Sequence, residues 1–328
     1  MSSSPFSTVA VIGAGTMGHG IAQVCAAAGL SVRLTDVTEA AVQKGLSAVA
    51  SNLEKGVARG KVSPDDREAT LGRLRGSAAL AEAVEGADLV IEAIPERMEL
   101  KTDLLRRLSP MLLPSAVFGT NTSSLSIAEI AAAAPAPERV VGLHFFNPVH
   151  IMSLLEVIHH AGTAPEVLTQ ALAFGAAIGK ECITVRDMPG FATSRLGVAL
   201  GMEAIRMVQD GVASAEDIDK AMVLGYRHPV GPLRLTDMVG LDVRLNIGEY
   251  LARTLGNPAF EPPALMRRMV AEGQLGQKSG QGFYRWRGAG RLRAGAPGAS
   301  KGAPSCGPDG PDECPSPFVS GTPLVRVA

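Results

Sequence analysis

The chain has 328 residues, 46% of them hydrophobic and 19% charged, and a formal net charge of −1. That length suggests two domains with sizeable cores, and the near-neutral balance gives no reason to expect nucleic acid or a membrane surface as a partner. No run of about eighteen apolar residues is present, so no membrane span is expected.

Residues 8–13 (TVAVIG) form a β-branched run ending in glycine, the pattern of a buried parallel strand. Residues 17–28 read as a small-residue helix stopped by Gly29, and 31–36 (SVRLTD) as a second strand. Strand, helix and strand make a parallel crossover unit. Its turn, Gly13-Ala14-Gly15-Thr16-Met17-Gly18, fits G-x-G-x-x-G in the context that gives the pattern meaning. Gly13 allows the tight turn, Gly15 lets backbone approach a pyrophosphate, and Gly18 lets helix and strand pack closely. At Thr16 and Met17 the helix N-terminus turns its free N–H groups toward the phosphates. Asp36, at the end of the second strand, accepts hydrogen bonds from ribose hydroxyls and repels a 2′-phosphate, which favours NAD over NADP. The competing reading of Asp36 is a turn or cap residue. FAD shares the fingerprint, but the chain is short for it and its next strands carry another signature.

Residues 38–60 read as a long helix capped by Thr38, and SPDD at 63–66 starts another. This helical insertion, about 38–72, carries Lys44, Lys55, Arg59 and Lys61. Either it is a solvated face, or it is an arm that meets an anionic ligand. The alternation then resumes, with strands at 88–94, 116–120, 139–146, 154–160 and 182–187, and helices at 96–108, 126–134 and 165–179. The fold class is therefore α/β, a Rossmann-like doubly wound sheet. After Pro189 the pattern changes: 190–211, 214–225, 236–256 and 262–273 read as helices, and no strand is evident.

The expected organisation is a cofactor domain over 1–187 and an all-α domain over 188–287. The apolar faces of that second domain exceed what about a hundred residues bury alone, which predicts a homodimer. Residues 288–328 are rich in glycine and proline and read as a disordered tail. Cysteines stand at 25, 182, 306 and 314, none in a CxxC, so neither a metal site nor a disulfide framework is expected. The first eight residues lack the basic and apolar regions of a signal peptide. A reducing, cytoplasmic setting is the expectation.

The chemistry concentrates in residues 140–158, VVGLHFFNPVHIMSLLEVI, two apolar runs joined by an irregular loop that begins at Asn147. One run carries His144 and the other Glu156. Side by side, they give an imidazole held by a carboxylate. Oxidising an alcohol needs a base for the hydroxyl proton as the hydride leaves, and histidine suits that role. An acid on the other ring nitrogen fixes the tautomer and stabilises imidazolium. Asn121-Thr122-Ser123-Ser124 follows another strand, at the end of the sheet where ligands bind. Its hydroxyls can meet a substrate oxygen, or one serine can cap the helix near Ser126. His19, His150, His159, His160 and His228 have no spaced partners and read as structural or surface residues.

GAGTMGHGIA, IEAIPE, NTSSLSI, HFFNPV, LLEVI, PGF with Arg195, and KSGQGFY occur in that order. With these motifs, over about residues 7–286, the chain resembles the 3-hydroxyacyl-CoA (3-hydroxybutyryl-CoA) dehydrogenase family. The resemblance implies a Rossmann domain followed by a helical dimerisation domain. It also implies NAD-linked, reversible oxidation of L-3-hydroxyacyl-CoA to 3-ketoacyl-CoA, as in fatty acid metabolism and β-oxidation, with 3-hydroxybutyryl-CoA the expected substrate. His144 matches the family's base, Glu156 its orienting acid, and Ser123 the serine on the substrate's C3 oxygen. Asp36, Glu96, Lys101 and Asn121 match cofactor-side positions. Lys55, Arg59 and Asn147 fall where the family meets its acyl-CoA. The chain departs from the family at Ser194, where the pattern usually has asparagine, and at Ser153, where many relatives carry lysine. Ser194 keeps one donor but is shorter and lacks the amide fork; Thr193 beside it is a candidate replacement donor. Reduction should be favoured at lower pH than oxidation, since one direction needs imidazolium and the other imidazole. Two rival readings stay open: a same-fold dehydrogenase of a free hydroxy acid, and a non-catalytic NAD-binding protein.

Overall fold

The computed structural model describes residues 4–286, so the tail expected at 288–328, with Cys306 and Cys314, lies outside the described residues. Eight strands make one sheet: β1 (Thr8–Ile12), β2 (Ser31–Thr35), β3 (Leu74–Gly76), β4 (Leu89–Glu92), β5 (Val117–Thr120), β6 (Val140–Phe145), β7 (Leu154–His159) and β8 (Glu181–Arg186). Their order is β3-β2-β1-β4-β5-β6-β7-β8, and every pair is parallel except β6–β7. The strand order reverses between β1 and β4, the switch point where such sheets bind ligands.

Helices cover both faces: α1 (Thr16–Ala27), α2 (Glu39–Ala58), α3 (Pro64–Gly72), α4 (Leu80–Val84), α5 (Met98–Leu108), α6 (Ile127–Ala131) and α7 (Pro165–Ala177). One core packs Ile21, Ala22, Val49 and Phe174 onto Val9, Val11, Leu89, Ile91 and Leu155. On the other face Leu105, Leu108, Ile127 and Ile130 pack onto Ala10, Val90, Phe118 and Val140. Helix starts follow side-chain caps. Thr38 accepts from Ala41 N at 3.2 Å, Ser63 from Asp66 N at 3.0 Å and Ser126 from Glu129 N at 3.3 Å. Each satisfies a backbone donor that the first turn leaves free.

A helical part follows: α8 (Thr193–Gln209), α9 (Ala215–Lys220), α10 (Pro232–Val239), α11 (Leu241–Leu255) and α12 (Ala264–Ala271). It has its own core, built on Met202, Ile205, Leu233, Leu241, Leu251 and Met266. The KSGQGFY segment is held to α10 by Asp237, which accepts from the N–H groups of Phe283 and Tyr284, each at 2.9 Å, and from Trp286 Nε1 at 2.8 Å.

Three sequence expectations need correction, and one strand was not expected. The helix expected at 236–256 is two helices broken at Gly240, whose φ of +107° an L residue rarely adopts. The helix expected at 214–225 is α-helical only to Lys220 and continues as a π-turn over Ala221–Gly225. Strand β3, three residues long, is too short to show an alternation. The helix expected from residue 96 starts at Met98, which leaves Glu96 in a loop at the ligand end of the sheet. Among the described residues no helix is long and apolar enough to cross a membrane.

Candidate active site

The glycine turn leaves β1 with Gly13 at φ +101°. A Cβ on Gly13 would lie 2.5 Å from the Ala93 carbonyl oxygen, and one on Gly18 1.6 Å from that of Gly13, so both positions exclude any side chain. Gly15 differs: a Cβ there would meet nothing within 4 Å, because the turn opens onto solvent. Helix α1 starts immediately behind it, with no side-chain cap and no acidic residue in its first turn. Its free N–H groups at Thr16 and Met17 therefore face an open cradle, which fits a pyrophosphate. Asp36 stands beside this turn. Its Oδ2 accepts from Ala14 N and its Oδ1 from Val37 N, both at 2.7 Å. It both ties the turn and presents a carboxylate at its rim.

Glu96 reaches across to the loop after β5. Its Oε1 accepts from the Thr122 hydroxyl at 2.6 Å, Ser123 N at 2.8 Å and Ser124 N at 3.2 Å. The Ser123 hydroxyl itself has no hydrogen-bond partner among the described residues. Asn121 Oδ1 accepts from Phe145 N at 2.8 Å, which binds this loop to the residue after His144. Lys101 does not reach a ligand here. It is 0% exposed, and its Nζ donates to both oxygens of the equally buried Glu92, at 2.8 and 3.0 Å. Glu96 Oε2 lies 3.5 Å from the same ammonium. The expectation that Lys101 touches the cofactor is corrected on that ground: a side chain with no accessible surface acts through Glu92 and Glu96. Glu92, which the sequence reading passed over inside IEAIPE, also accepts from the Thr120 hydroxyl at 2.7 Å.

The antiparallel β6–β7 pair sets His144 directly opposite Glu156. Nδ1 of His144 lies 2.6 Å from Glu156 Oε2, and the two residues are 5% and 0% exposed. Phe146 and Phe191 flank the imidazole, with ring centroids 4.5 and 5.9 Å away. Since the carboxylate accepts, Nδ1 carries the proton and Nε2 is the basic atom. Nε2 has no protein partner among the described residues. The carboxylate in turn sits on the N-terminus of α8. Oε1 accepts from Thr193 N at 2.9 Å and Ala192 N at 3.3 Å, and Oε2 from the Thr193 hydroxyl at 2.8 Å. Burial by itself would raise the Glu156 pKa. The hydrogen bonds from His144 and from the Thr193 N–H and hydroxyl outweigh it and hold the carboxyl below its ordinary range.

Thr193, not Ser194, is thus the helix residue that engages the pair; Ser194 follows it, half-buried, with no hydrogen-bond partner among the described residues. Asn147 is exposed at the start of the β6–β7 loop, and Lys55 and Arg59 are exposed near the end of α2. Neither of those two cations forms a salt bridge among the described residues. No cluster of His, Cys, Asp or Glu there could hold a metal.

Two family descriptions match the chain: 3-hydroxyacyl-CoA dehydrogenase, NAD binding domain, over residues 8–188, and 3-hydroxyacyl-CoA dehydrogenase, C-terminal domain, over 190–286. A probable 3-hydroxybutyryl-CoA dehydrogenase of Bacillus subtilis is 43% identical over 276 residues, 84% of this chain and 96% of its own length. The mitochondrial hydroxyacyl-coenzyme A dehydrogenase of Sus scrofa is 40% identical over 286 residues, 85% of this chain and 91% of its own. Among solved structures, (S)-3-hydroxybutyryl-CoA dehydrogenase from Ralstonia eutropha superposes with a TM-score of 0.83 at 40% identity, covering 86% of this chain and 99% of the other.

Proposed function

The chain belongs to the 3-hydroxyacyl-CoA dehydrogenase family and is an NAD-dependent oxidoreductase acting on CH–OH, and from that premise we propose that His144 and Glu156 are the proton-transfer pair of a 3-hydroxybutyryl-CoA dehydrogenase. The glycine turn, Thr16, Met17 and Asp36 would hold the nicotinamide dinucleotide, which would supply the hydride acceptor for oxidation at C3 as NAD and the donor for reduction as NADH. His144 Nε2 removes the proton of the C3 hydroxyl and gives it back in reverse. Glu156 accepts from Nδ1–H, which fixes the tautomer and offsets the charge of the imidazolium. Thr193 and the N-terminus of α8 keep that carboxylate ionised and aimed. The Ser123 hydroxyl donates to the C3 oxygen from a loop that Glu96 holds in shape. Ser194 offers a second free hydroxyl at the start of α8. Asn147 borders the thioester, while Lys55 and Arg59 lie where α2 meets the CoA. Asp36, Gly13, Gly15, Thr16, Met17, Gly18 and Asn121 shape the cofactor side.

One observation carries this reading: a buried imidazole locked at 2.6 Å to a carboxylate, with its other nitrogen unpartnered beside the Ser123 loop. The test is NADH oxidation with acetoacetyl-CoA against free acetoacetate. Turnover of the thioester at least a hundredfold faster is the expected outcome. Equal turnover of the free acid would favour the hydroxy-acid dehydrogenase reading, and no turnover of either would leave a dinucleotide binder.

We also propose a homodimer through the helical part. Leu196, Met238, Val239 and Val243 are 72%, 51%, 43% and 40% exposed on α8, α10 and α11, more apolar surface than an isolated helical layer ordinarily leaves to water. Light scattering should give twice the chain mass, and Leu196→Glu should shift it toward one. A wild-type protein of single-chain mass would refute the dimer.

A further inference from the structure

The last two strands of the sheet run against the others, and that brings a lysine to the ligand end. β7 is antiparallel to β6, and β8 is parallel to β7. The carboxyl end of β6 and the starts of β7 and β8 therefore share one edge, the edge where the glycine turn and the Ser123 loop leave β1 and β5. The turn from α7 into β8 stands there, beside the loop that joins β6 to β7. Gly179, with φ +75°, ends α7, and Lys180 follows it. Backbone bonds fix both sides of that position: Lys180 N donates to the Gly175 carbonyl at 2.9 Å, and Glu181 N to the Ser153 carbonyl at 2.8 Å. From it, Nζ of Lys180 donates to the carbonyls of Val149 and, at 2.7 Å, Met152.

Both carbonyls belong to residues 146–153, the loop between the strand of His144 and the strand of Glu156. Within the loop, Ile151 N and Met152 N donate to the Pro148 carbonyl at 2.9 and 3.0 Å. Two anchors come from outside it. Val149 is buried against α1, where a Cβ on Gly20 would fall 2.9 Å from the Val149 Cβ. Lys180 is the second. Asn147, His150, Ile151 and Met152 are left exposed, and Phe146 packs on the His144 imidazole. Lys180 is half-buried and forms no salt bridge among the described residues. Burial holds its pKa below the ordinary lysine range. Only the Cys25 thiol acts the other way, and burial pushes that thiol up to about 12, so it stays neutral. The ammonium thus has two carbonyl dipoles in place of a counter-ion, and these are charge-assisted bonds.

We propose that Lys180 is a positioning residue for the acyl-CoA substrate: by holding the Val149 and Met152 carbonyls it keeps the β6–β7 loop ordered as a wall of the thioester site. The inference rests on the 3-hydroxyacyl-CoA reading above, in which Asn147 of this loop borders the thioester. Lys180 is not hydrogen-bonded to His144, Glu156 or Ser123, so its effect falls on binding and not on proton transfer. A loop ordered for only part of the time binds with an affinity reduced by that fraction. Losing two charge-assisted hydrogen bonds is enough to bring the ordered fraction down to about a tenth.

The experiment is steady-state reduction of acetoacetyl-CoA by NADH in wild type, Lys180→Met and Lys180→Arg. Lys180→Met should raise the KM for acetoacetyl-CoA about tenfold and leave kcat and the KM for NADH within about twofold, because bound thioester restores the loop. Lys180→Arg keeps the charge and the donors, and should bring that KM back to within about threefold of wild type. Chymotrypsin should cut Lys180→Met at Phe146 or Met152 faster than wild type, and acetoacetyl-CoA should slow the cut. If Lys180→Met fails to fold, Lys180→Gln reads the same split between the two KM values. An unchanged KM for acetoacetyl-CoA in the neutral variant overturns the proposal. So does an equal rise in the KM for NADH, or a failure of Lys180→Arg to restore binding, since either marks a general loosening of the fold. Absence of turnover in wild type would strike the dehydrogenase reading instead, and the chymotrypsin comparison would still show whether Lys180 orders the loop.

Discussion

Glu156→Gln should keep the fold and lower turnover of acetoacetyl-CoA by roughly 10²–10⁴, the range of general acid–base catalysis. The amide occupies nearly the same volume and still accepts at one oxygen. It loses the charge that offsets imidazolium, and its NH2 end is driven toward a donor: Nδ1–H of His144, or the N–H and hydroxyl of Thr193. The imidazole then loses its fixed tautomer. Thr193→Val should act in the same direction and more weakly, by about tenfold, because one of four hydrogen bonds to the carboxylate goes while the Thr193 N–H bond stays. Turnover near wild type in Glu156→Gln would remove the carboxylate from the mechanism. Stability provides a second readout. The native carboxyl titrates below its usual value of 4.5, so its stabilisation is full above that pH and is lost as pH falls through the lower native value. Glu156→Gln should accordingly lose less stability on acidification than wild type.

The second large effect is on folding. Lys101→Met should destabilise the protein by about 3–5 kcal/mol, the cost of leaving a buried carboxylate without its cation. Glu92 is 0% exposed and has no other positive charge within salt-bridge distance among the described residues. For a protein of this size the loss should appear as a melting temperature lower by roughly 10 °C. The double variant Glu92→Gln/Lys101→Met should recover part of it. Glutamine is neutral and its oxygen can still accept from the Thr120 hydroxyl or Ile94 N, the other partners of Glu92. Melting of Lys101→Met at the wild-type temperature would show that the pair contributes nothing. The lysine also stands behind Glu96, and through it behind the Ser123 loop, so a loss of activity in the folded variant is expected with the loss of stability.

The features that could be read in advance were those with a local signal. The glycine turn sits between a β-branched run and a small-residue helix, and each glycine has a steric reason visible in its neighbours. His144 and Glu156 lie in two apolar runs joined by a loop too short for a helical crossover, which leaves antiparallel pairing as the simple connection. Other features depend on contacts distant in the chain. Thr193 matters because α8 begins exactly one residue before Ser194, and nothing in PGFATSR marks which residue opens the helix. Lys101 lies on an amphipathic helix where a lysine ordinarily faces water, and only the position of Glu92 at the end of β4 draws it inside. Gly240 lies inside the span 236–256 that reads as one helix, but its positive φ ends one helix and starts another.

The account stands on a single physical arrangement, an imidazole whose Nδ1 is committed to Glu156 and whose Nε2 exchanges a proton with the C3 oxygen. The most direct measurement is the pair of pH–rate profiles, NADH oxidation with acetoacetyl-CoA and NAD reduction with 3-hydroxybutyryl-CoA, on the same enzyme. Reduction of the ketone should peak at the lower pH, where Nε2 carries the proton to be given, and oxidation of the alcohol at the higher pH, where it can accept one. Coincident optima in the two directions would contradict it.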